Sequence, residues 1–380
     1  MLYRRFGKLS WHASALGFGT MRLPTIGGNA ENIDQKEAIR MIRYAIDQGV
    51  NYIDTAYVYH QGQSEVTVGK ALQNGYRNKV KLATKIPIWK IQSQKDMDKY
   101  FLEQLSRLQA DYVDFYLLHA LYREAWDKLK KLHVQNWLEK KIAEGKIRHL
   151  GFSFHDEYDV FKQIIDDYES WTFCQIQYNY IDKNYQAGTR GLKYAASKGL
   201  AIVVMEPIAG GKLAIKPPKS IQTLWEKMDI QRKPAEWALR LVWNHPEVSV
   251  VLSGMSTMSQ VIENVKSANH SQPNILTENQ IAIFNRVRRK YKKLGFVSCS
   301  GCRYCMPCPQ GVNIPEILAL HNEYYVRNRE EEVKSKYKKQ IPPENRAEKC
   351  IRCGKCEEIC PQKMPIRELL SEVAFVMEQE

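Results

Sequence analysis

Strand and helix patterns alternate eight times within residues 1–270, and this alternation constrains the fold more than any other sequence feature. The strand patterns are short runs rich in apolar, β-branched and aromatic residues, at 15–23, 51–56, 80–86, 112–119, 149–154, 173–179, 201–206 and 248–253. The helix patterns carry apolar residues at helical spacing, at 34–49, 64–73, 95–109, 133–145, 157–168, 188–199, 233–244 and 257–268. Eight strands, each followed by a helix, predict an α/β fold, the (β/α)8 TIM barrel. A doubly wound open sheet is the alternative, but no G-x-G-x-x-G follows the first strand.

Polar residues stand at the ends of three successive strand patterns. The segment N-Y-I-D-T-A-Y-V-Y-H (51–60) carries Asp54 and Tyr59, V-K-L-A-T-K ends at Lys85, and Y-V-D-F-Y-L-L-H ends at His119. A barrel of parallel strands brings the C-terminal ends of its strands together at one face, where sites are built. The sequence therefore predicts one site assembled from separate pieces of chain.

The composition is ordinary for a globular protein, with 44% hydrophobic and 26% charged residues. No apolar run reaches the length of a membrane span and M-L-Y-R-R-F-G-K is not a secretory signal, so we expect a cytoplasmic protein without a membrane partner. The net charge of +14 suits an acidic protein partner or nucleic acid. The basic runs at 287–293 and 334–339 are more typical of solvated helix faces, because no motif of the common nucleic-acid-binding folds is present.

The nine cysteines are unevenly distributed, and this marks a domain boundary. Only Cys174 precedes residue 299, and the other eight lie between 299 and 360. They form the runs C-x2-C-x2-C-x2-C-P (299–309) and C-x2-C-x2-C-x3-C-P (350–361), of which the second is the bacterial ferredoxin pattern. We therefore expect a barrel domain at 1–270, a helical linker at 271–298 and a small α-rich, ferredoxin-like iron–sulfur domain at 299–380.

In the ferredoxin pattern three cysteines hold one [4Fe–4S] cluster and the fourth reaches across to the other. We expect one cluster on Cys299, Cys302, Cys305 and Cys360. We expect the second on Cys350, Cys353, Cys356 and Cys308. The first run is one residue shorter than the pattern before Cys308, which makes this the weakest ligand assignment. Zinc is the alternative, because paired C-x2-C motifs also bind zinc. The remaining cysteine, Cys174, is expected in the barrel core.

Residues 1–270 resemble the aldo/keto reductase family along their whole length. The motifs that carry the resemblance follow one another in the family's order: R-R-F-G-K, D-T-A-x-x-Y with a following S-E, A-T-K, G-K-I-R-H-L-G-F-S (145–153), Q-I-Q-Y-N (175–179), and L-S-G-M-S with E-N (252–264). The resemblance implies NAD(P)H-dependent reduction of an aldehyde or ketone, or the reverse reaction. With the cysteine runs, it indicates a subgroup of the family that is fused to an iron–sulfur domain.

The resemblance also assigns catalytic roles. Tyr59 would donate the proton that the developing alkoxide needs, and Lys85 would lower the pKa of Tyr59, which is normally about 10. Asp54 would anchor Lys85, and His119 would orient and polarise the carbonyl group. Tyr57 is a second tyrosine in the same segment, but its spacing from Asp54 does not fit the family.

The same resemblance implies contacts to a nicotinamide dinucleotide. Ser153 and Gln175 match positions that hold the carboxamide, and Met205 stands where many members stack a tyrosine on the ring. His155 lies near the place of a second carboxamide contact, which many members make with an asparagine. In M-E-P-I-A-G-G-K (205–212), Gly210 and Lys212 match a loop over the pyrophosphate.

Four residues after the eighth strand match positions that hold the adenosine end: Ser256, Gln260, Glu263 and Asn264. Gln260 replaces a basic residue that many members use for the 2′-phosphate, and an amide discriminates a phosphate less well than the fork of arginine. We expect NADP(H) as the cofactor, with NAD(H) as the alternative.

The function of the clusters is left open by the sequence. A nicotinamide donates two electrons as hydride and a cluster passes one, so coupling them requires a flavin or a similar converter. No flavin motif is present, but barrels also bind flavin without one. Electron transfer to an acidic carrier such as ferredoxin or flavodoxin, docked at the lysine-rich segment 324–349, is one hypothesis; a structural staple and redox sensing are others.

For the whole chain, the alternatives to a carbonyl reductase are a cofactor-binding redox sensor and a barrel that reduces an activated double bond with electrons from the clusters.

Overall fold

The computed structural model describes residues 1–327 and 330–378. The chain forms two compact units. The first contains Met1–Tyr178, Asp182–Pro207 and Leu239–Ile275. The second contains Asn179–Ile181, Ile208–Ala238 and the chain from Leu276 onward.

Eight parallel strands close into a barrel in the first unit, which confirms the predicted TIM barrel. They are β3 (Leu16–Gly19), β4 (Tyr52–Asp54), β5 (Lys81–Ile86), β6 (Val113–Leu121), β7 (Ile147–Phe154), β8 (Phe173–Gln177), β9 (Ala201–Met205) and β10 (Val248–Gly254). Each strand pairs with the next along the chain, and β10 closes the barrel by pairing with β3. Before the barrel, β1 (Tyr3–Arg5) and β2 (His12–Ser14) form an antiparallel hairpin.

Helices follow the barrel strands in the expected alternation. They are α1 (Gln35–Asp47), α2 (Gln63–Ala71), α3 (Gln94–Leu108), α4 (Arg123–Lys131), α5 (Val134–Ala143), α6 (Tyr158–Asp166), α7 (Gly188–Ser197), α8 (Lys219–Trp225), α9 (Pro234–Trp243) and α10 (Met258–Ala268). Helix α1 shows why they form: the Asp34 side chain accepts a hydrogen bond from the N–H of Glu37, and buried Ala38, Met41 and Ala45 recur at helical spacing. Helices α4 and α8 are additions to the predicted set.

An aromatic cluster lies in the barrel core, formed with a residue of the N-terminal hairpin. The ring of Phe6 lies 4.6 Å from that of Phe115 and 5.6 Å from that of Phe173, between ring centroids. The Phe6 side chain is completely buried, and burial of this kind contributes about 1.5–3 kcal/mol. The floor of the barrel is therefore a packed core, which leaves the C-terminal ends of the strands to carry the site.

The second unit is helical in its C-terminal part. It contains α11 (Glu278–Lys293), α12 (Ile314–Arg327), α13 (Glu330–Gln340), α14 (Lys355–Glu358) and α15 (Ile366–Glu378). Its core packs the apolar faces of α12, α13 and α15 around side chains such as Leu318, Val333 and Leu370, together with several cysteines. This agrees with the expected small, α-rich domain.

Candidate active site and cysteine cavities

The turn that carries Tyr59 has an unusual backbone. It is a short 3-10 segment, Tyr59–Gly62, in which His60 (φ 50°) and Gln61 (φ 53°) both adopt the left-handed conformation. Such conformations cost about 1–3 kcal/mol each in residues other than glycine. The His60 ring ties the turn to the β3–α1 loop, because Nε2 accepts from the N–H of Leu23 at 3.2 Å and Nδ1 donates to the carbonyl of Ala30 at 2.7 Å.

Lys85 lies at the centre of the predicted catalytic group. Its Nζ donates to Oδ1 of Asp54 at 2.6 Å, to the carbonyl of Thr55 at 2.8 Å and to the hydroxyl of Tyr59 at 3.2 Å. These bonds use the three donors of an ammonium group. All of these residues are buried. Strands β4 and β5 thus bring together the side chains that the sequence placed at their ends.

Burial shifts the pKa values of the two charged members of this group in opposite directions. It raises the pKa of the Asp54 carboxyl and lowers the pKa of Lys85, and the attraction between the two charges opposes both shifts. The 2.6 Å contact keeps them together as a buried ion pair. The ammonium therefore lies beside the phenolic oxygen of Tyr59 in an environment with little solvent.

His119 completes the group from β6. Its ring centroid lies 5.9 Å from that of Tyr59, edge to face, and 5.3 Å from that of the half-exposed Trp89. Burial, with Lys85 and His155 nearby, lowers the pKa of His119 well below its usual 6.5. The imidazole is consequently neutral at neutral pH and presents an N–H that can donate to a carbonyl oxygen. Strand β6 continues to Leu121, two residues beyond the predicted end at His119.

The other tyrosine of the segment points elsewhere. The hydroxyl of Tyr57 donates to Glu103 at 2.9 Å, and its carbonyl accepts from Arg107 at 3.1 Å. The Arg107 guanidinium also lies over the Tyr57 ring, 4.3 Å from its centroid. The Tyr57 hydroxyl is therefore bound to Glu103, and Tyr59 is the tyrosine whose hydroxyl contacts Lys85.

A second buried carboxylate, that of Glu65, lies next to β5 and was not predicted from the sequence as a site residue. Its Oε1 accepts from the hydroxyl of Thr84 at 2.6 Å and from Nε2 of Gln104 at 2.7 Å, and Gln104 also donates to the Lys85 carbonyl at 3.0 Å. Arg107 donates to its other oxygen at 3.3 Å. Two sequence signals exist: the S-E pair after Tyr59, and a glutamine on the buried face of α3.

Two of the residues that are predicted to contact the carboxamide lie side by side on adjacent barrel strands. Ser153 on β7 pairs directly with Gln175 on β8, and the Ser153 hydroxyl accepts from the N–H of Ala120 at 2.7 Å. Gln175 donates to the sulfur of Met205 at 3.4 Å, and its buried Oε1 has no hydrogen-bond partner within residues 1–327 and 330–378. A nicotinamide carboxamide offers the N–H donors that this oxygen lacks, so these residues fit that group.

His155 is buried, and its Nδ1 lies 3.3 Å from Oε1 of Gln186. It stands close enough to His119 to influence it electrostatically. Its predicted part in carboxamide binding stays a prediction.

The predicted adenosine contacts lie at the start of α10. The Thr257 hydroxyl caps this helix by accepting from the N–H of Gln260 at 3.3 Å, and Gln260 Oε1 accepts from the N–H of Ser256 at 2.8 Å. Asn264 donates to the Ser253 hydroxyl at 3.0 Å, and Glu263 accepts weakly from Ser259 at 3.4 Å. The Gln260 amide is therefore used as a helix cap.

Gly210 and Lys212 belong to the second unit. Gly210 (φ 65°) and Gly211 (φ 96°) both adopt left-handed conformations that favour glycine, and the Nζ of Lys212 is buried. Their predicted contact with a pyrophosphate stays a prediction.

Two cavities of the second unit are lined by cysteines. The first is lined by Cys299, Cys302, Cys305 and Cys360. The second is lined by Cys305, Cys308, Cys350, Cys353 and Cys356. Cys353 is exposed, whereas the other seven cysteines of the two runs are buried or half-buried.

The thiols of the two cysteine runs are spread around the two cavities. Within residues 1–327 and 330–378, no three His, Cys, Asp or Glu side chains converge closely enough to hold a metal ion. Burial, with Cys299 and Cys360 nearby, raises the pKa of Cys305 to about 12. Thiols spread around a cavity fit an iron–sulfur cubane.

Cys174 lies in β8 and lines neither cavity. It is completely buried, and burial raises its pKa well above the usual range of a thiol. This is the environment of an inert core residue. Among the described helices, none is long and apolar enough to cross a membrane.

Comparisons with known proteins match both halves of this description. The aldo/keto reductase family matches residues 15–288, and a 4Fe-4S dicluster domain matches residues 298–364. L-galactose dehydrogenase of Arabidopsis thaliana is 29% identical over 69% of this chain and 86% of its own length. The oxidoreductase YqkF of Bacillus subtilis is 27% identical over 74% of this chain and 94% of its own length.

Solved structures agree. The holo form of aldo-keto reductase AKR11C1 from Bacillus halodurans superposes with a TM-score of 0.62 and 28% identity, covering 76% of this chain and 96% of its own. An aldo-keto reductase from Klebsiella pneumoniae in complex with NADPH gives a TM-score of 0.61 and 25% identity, with the same coverage.

Proposed function

This chain belongs to the aldo/keto reductase family, and from that premise we propose that it is an NADP(H)-dependent enzyme that reduces an aldehyde or ketone, or catalyses the reverse reaction, with Tyr59 as the acid. The observation that carries the proposal is the position of the Lys85 ammonium, 2.6 Å from Asp54 and 3.2 Å from the Tyr59 hydroxyl. An ammonium held at a phenolic oxygen makes that phenol a better proton donor.

The proposed mechanism divides the work among these residues. When bound, the nicotinamide supplies the hydride that reduces the carbonyl carbon. Neutral His119 donates a hydrogen bond to the carbonyl oxygen and orients it. Tyr59 gives its proton to the same oxygen as negative charge develops there, and Lys85 stabilises the phenolate that remains. Asp54 keeps the ammonium charged and in place despite its burial.

The cofactor is proposed as NADP(H). The Klebsiella pneumoniae relative was solved with NADPH, and the buried acceptor of Gln175 suits a carboxamide. Ser153 and Met205 would border the nicotinamide, Gly210 and Lys212 the pyrophosphate. The adenosine end would lie at Ser256, Gln260, Glu263 and Asn264. NAD(H) is the second candidate, because Gln260 caps α10 and brings no positive charge.

The cysteine cavities are proposed to hold two [4Fe–4S] clusters. Cys299, Cys302, Cys305 and Cys360 would hold one, and Cys308, Cys350, Cys353 and Cys356 the other. The exposed Cys353 would bring the second cluster close to solvent, where an acidic one-electron carrier such as ferredoxin or flavodoxin could approach. The net charge of +14 favours such a partner.

The experiment that tests the enzyme proposal replaces Tyr59 by Phe, with Tyr57→Phe as the matched control. Loss of a general acid lowers turnover about 10²- to 10⁴-fold. NADPH oxidation with a panel of aldehydes and ketones should fall by this factor in Tyr59→Phe, while the Kd for NADPH stays unchanged. Tyr57→Phe should keep most of the turnover. Equal turnover in Tyr59→Phe and the unmodified protein would overturn Tyr59 as the acid, and unmodified protein that binds NADPH but turns over no carbonyl compound would favour a redox sensor.

A further inference from the structure

The loop Ile208–Lys212 packs against the peptide that begins the first cysteine run. Both belong to the second unit. A Cβ atom added to Gly210 would lie 2.3 Å from the carbonyl oxygen of Ser300 and 2.8 Å from its Cα. These distances leave no room for a side chain, so the two backbones are in direct contact. Ser300 itself is only 4% exposed.

Ser300 is also part of the first cysteine cavity. It follows Cys299 directly, and both residues line that cavity. The backbone that touches Gly210 is therefore the same backbone that shapes the proposed ligand set of the first cluster. A change at the cluster that displaces this backbone would also displace the loop, because packed interiors contain little empty space and therefore transmit displacements.

The same loop also acts electrostatically on α12. Burial lowers the pKa of His321, the neighbouring Glu372 opposes this shift, and the positive charge of Lys212 adds to it. Helix α12 lines the first cysteine cavity through Ile314 and Leu318. The loop thus packs against one wall of this cavity, through Gly210 and Ser300.

We propose that Ser300 positions the Ile208–Lys212 loop, so that the binding of the dinucleotide and the state of the first cluster are thermodynamically linked. The inference rests on the proposed function, which gives this loop to the pyrophosphate and the four cysteines of the first cavity to a [4Fe–4S] cluster. It adds a role for the cluster: through Ser300, the cluster sets the affinity of the reductase for its cofactor.

The sign of the linkage follows from charge. One-electron reduction adds a negative charge to the cluster, and the pyrophosphate is also negative. A reduced cluster therefore weakens dinucleotide binding, and a bound dinucleotide makes the cluster harder to reduce. The two effects are equal in free energy because linkage is reciprocal.

Two neighbouring glycines provide a matched pair of variants. Gly210 and Gly211 both have positive φ, but a Cβ added to Gly211 meets no atom within 4 Å. Gly211→Ala therefore introduces backbone strain alone, whereas Gly210→Ala introduces strain and pushes Ser300. In anaerobically purified protein with both clusters, Gly210→Ala should lose iron to a chelator about fivefold faster than Gly211→Ala and bind NADPH about fivefold more weakly. Equal behaviour of the two variants would overturn the role of Ser300.

The unmodified protein supplies a test that does not depend on the folding of a variant. NADP⁺ at saturation should slow iron loss and shift the reduction potential of one cluster to a more negative value, followed by EPR during a redox titration. Protein reduced with dithionite and freed of excess reductant under anaerobic conditions should bind NADP⁺ more weakly than oxidised protein, by the factor that the potential shift requires.

The outcomes separate the two proposals. A protein that binds the dinucleotide and holds its clusters, with neither affecting the other, keeps the proposed function and loses the linkage. A protein that binds no dinucleotide overturns both, whereas a protein that holds no iron–sulfur cluster overturns the linkage and the cluster assignment and leaves the proposed carbonyl reduction standing.

Discussion

The ammonium of Lys85 and the carboxylate of Asp54 lie 2.6 Å apart, and their side chains are 0% and 3% exposed. Removing two charges from water is costly, and a buried pair of this kind is weak as a stabilising device. Its value lies in chemistry, because it holds an ammonium beside Tyr59 where solvent would otherwise screen its charge. The pair therefore links the stability of the barrel to the proposed reaction.

Breaking this pair should destabilise the fold. Asp54→Asn leaves the buried charge of Lys85 without its counterion, which costs about 3–5 kcal/mol. The free energy of unfolding from urea titration at pH 7 should fall by that amount. In the variant the pKa of folded Lys85 drops further below its unfolded value, so the deficit should shrink as the pH rises toward 10.

The double variant Asp54→Leu/Lys85→Met is the control for this prediction. It removes both charges and keeps the side-chain volume roughly constant, so it should recover much of the lost stability although it has no turnover. A double variant as unstable as Asp54→Asn would show that packing, and not the unpaired charge, causes the loss.

The neutral state of His119 predicts a dependence of stability on pH. The folded-state pKa of His119 lies well below its unfolded value of 6.5, so below pH 6.5 the unfolded chain binds a proton that the folded chain does not. The contribution of neutral His119 is complete above pH 6.5 and is lost at about 1.4 kcal/mol per pH unit as the pH falls toward the folded-state pKa.

The comparison with His119→Asn isolates this contribution. Other buried histidines, such as His60 and His245, also have lowered pKa values, and their contributions cancel in the difference between the two proteins. Between pH 7 and 5, the unfolding free energy of the unmodified protein should therefore fall more steeply than that of the variant. Parallel curves would mean that folding does not lower the pKa of His119.

Much of the barrel was predictable because its signals are local. The helix patterns at 34–49 and 257–268 correspond to α1 and α10 within two residues at each end. Helices α4 and α8 were missed, since each is short and interrupts a stretch between two regular elements. The left-handed backbone conformations of His60 and Gln61 could not be foreseen, because neither residue type is a strong signal for them. The hydrogen bond from Leu23 to the His60 ring depends on a distant loop.

The candidate site shows the same division. Asp54, Tyr59, Lys85 and His119 were found because parallel strands deliver their C-terminal ends to one face. The Glu65–Gln104 contact was not, since it joins α2 to α3 and only the folded chain brings them together. Gln260 had a local signal: T-x-x-Q at 257–260 is a capping pattern, in which Thr257 is the N-cap and the Gln260 side chain accepts from the N–H of the preceding Ser256.

The cysteine assignment predicts a defined loss of iron. Cys353→Ser removes one proposed ligand of the second cluster, so iron in anaerobically purified protein should fall from about eight to about four atoms per chain. Cys174→Ser is the control, because this buried thiol lies in β8 and lines neither cavity. The EPR spectrum of reduced Cys353→Ser should lose the signature of interaction between two clusters. Unchanged iron content in Cys353→Ser would remove it from the ligand set.

The local role of Gln260 makes cofactor preference testable. Its Oε1 accepts from the N–H of Ser256 at 2.8 Å, so the residue stabilises the start of α10 and carries no charge toward a 2′-phosphate. Gln260→Arg gives up this cap and adds a guanidinium fork. A hydrogen bond to a charged group contributes about 1.5–3 kcal/mol, equivalent to a roughly 10- to 100-fold gain.

The Kd for NADPH in Gln260→Arg should therefore fall by that factor while the Kd for NADH stays nearly constant, both measured by quenching of protein fluorescence. Gln260→Leu removes the cap without adding charge and measures the cost of the cap alone, which should affect both cofactors equally. The gain should also shrink with added salt, because the new contact is between charges near the surface. An unchanged ratio of the two Kd values in Gln260→Arg would place the 2′-position away from the start of α10.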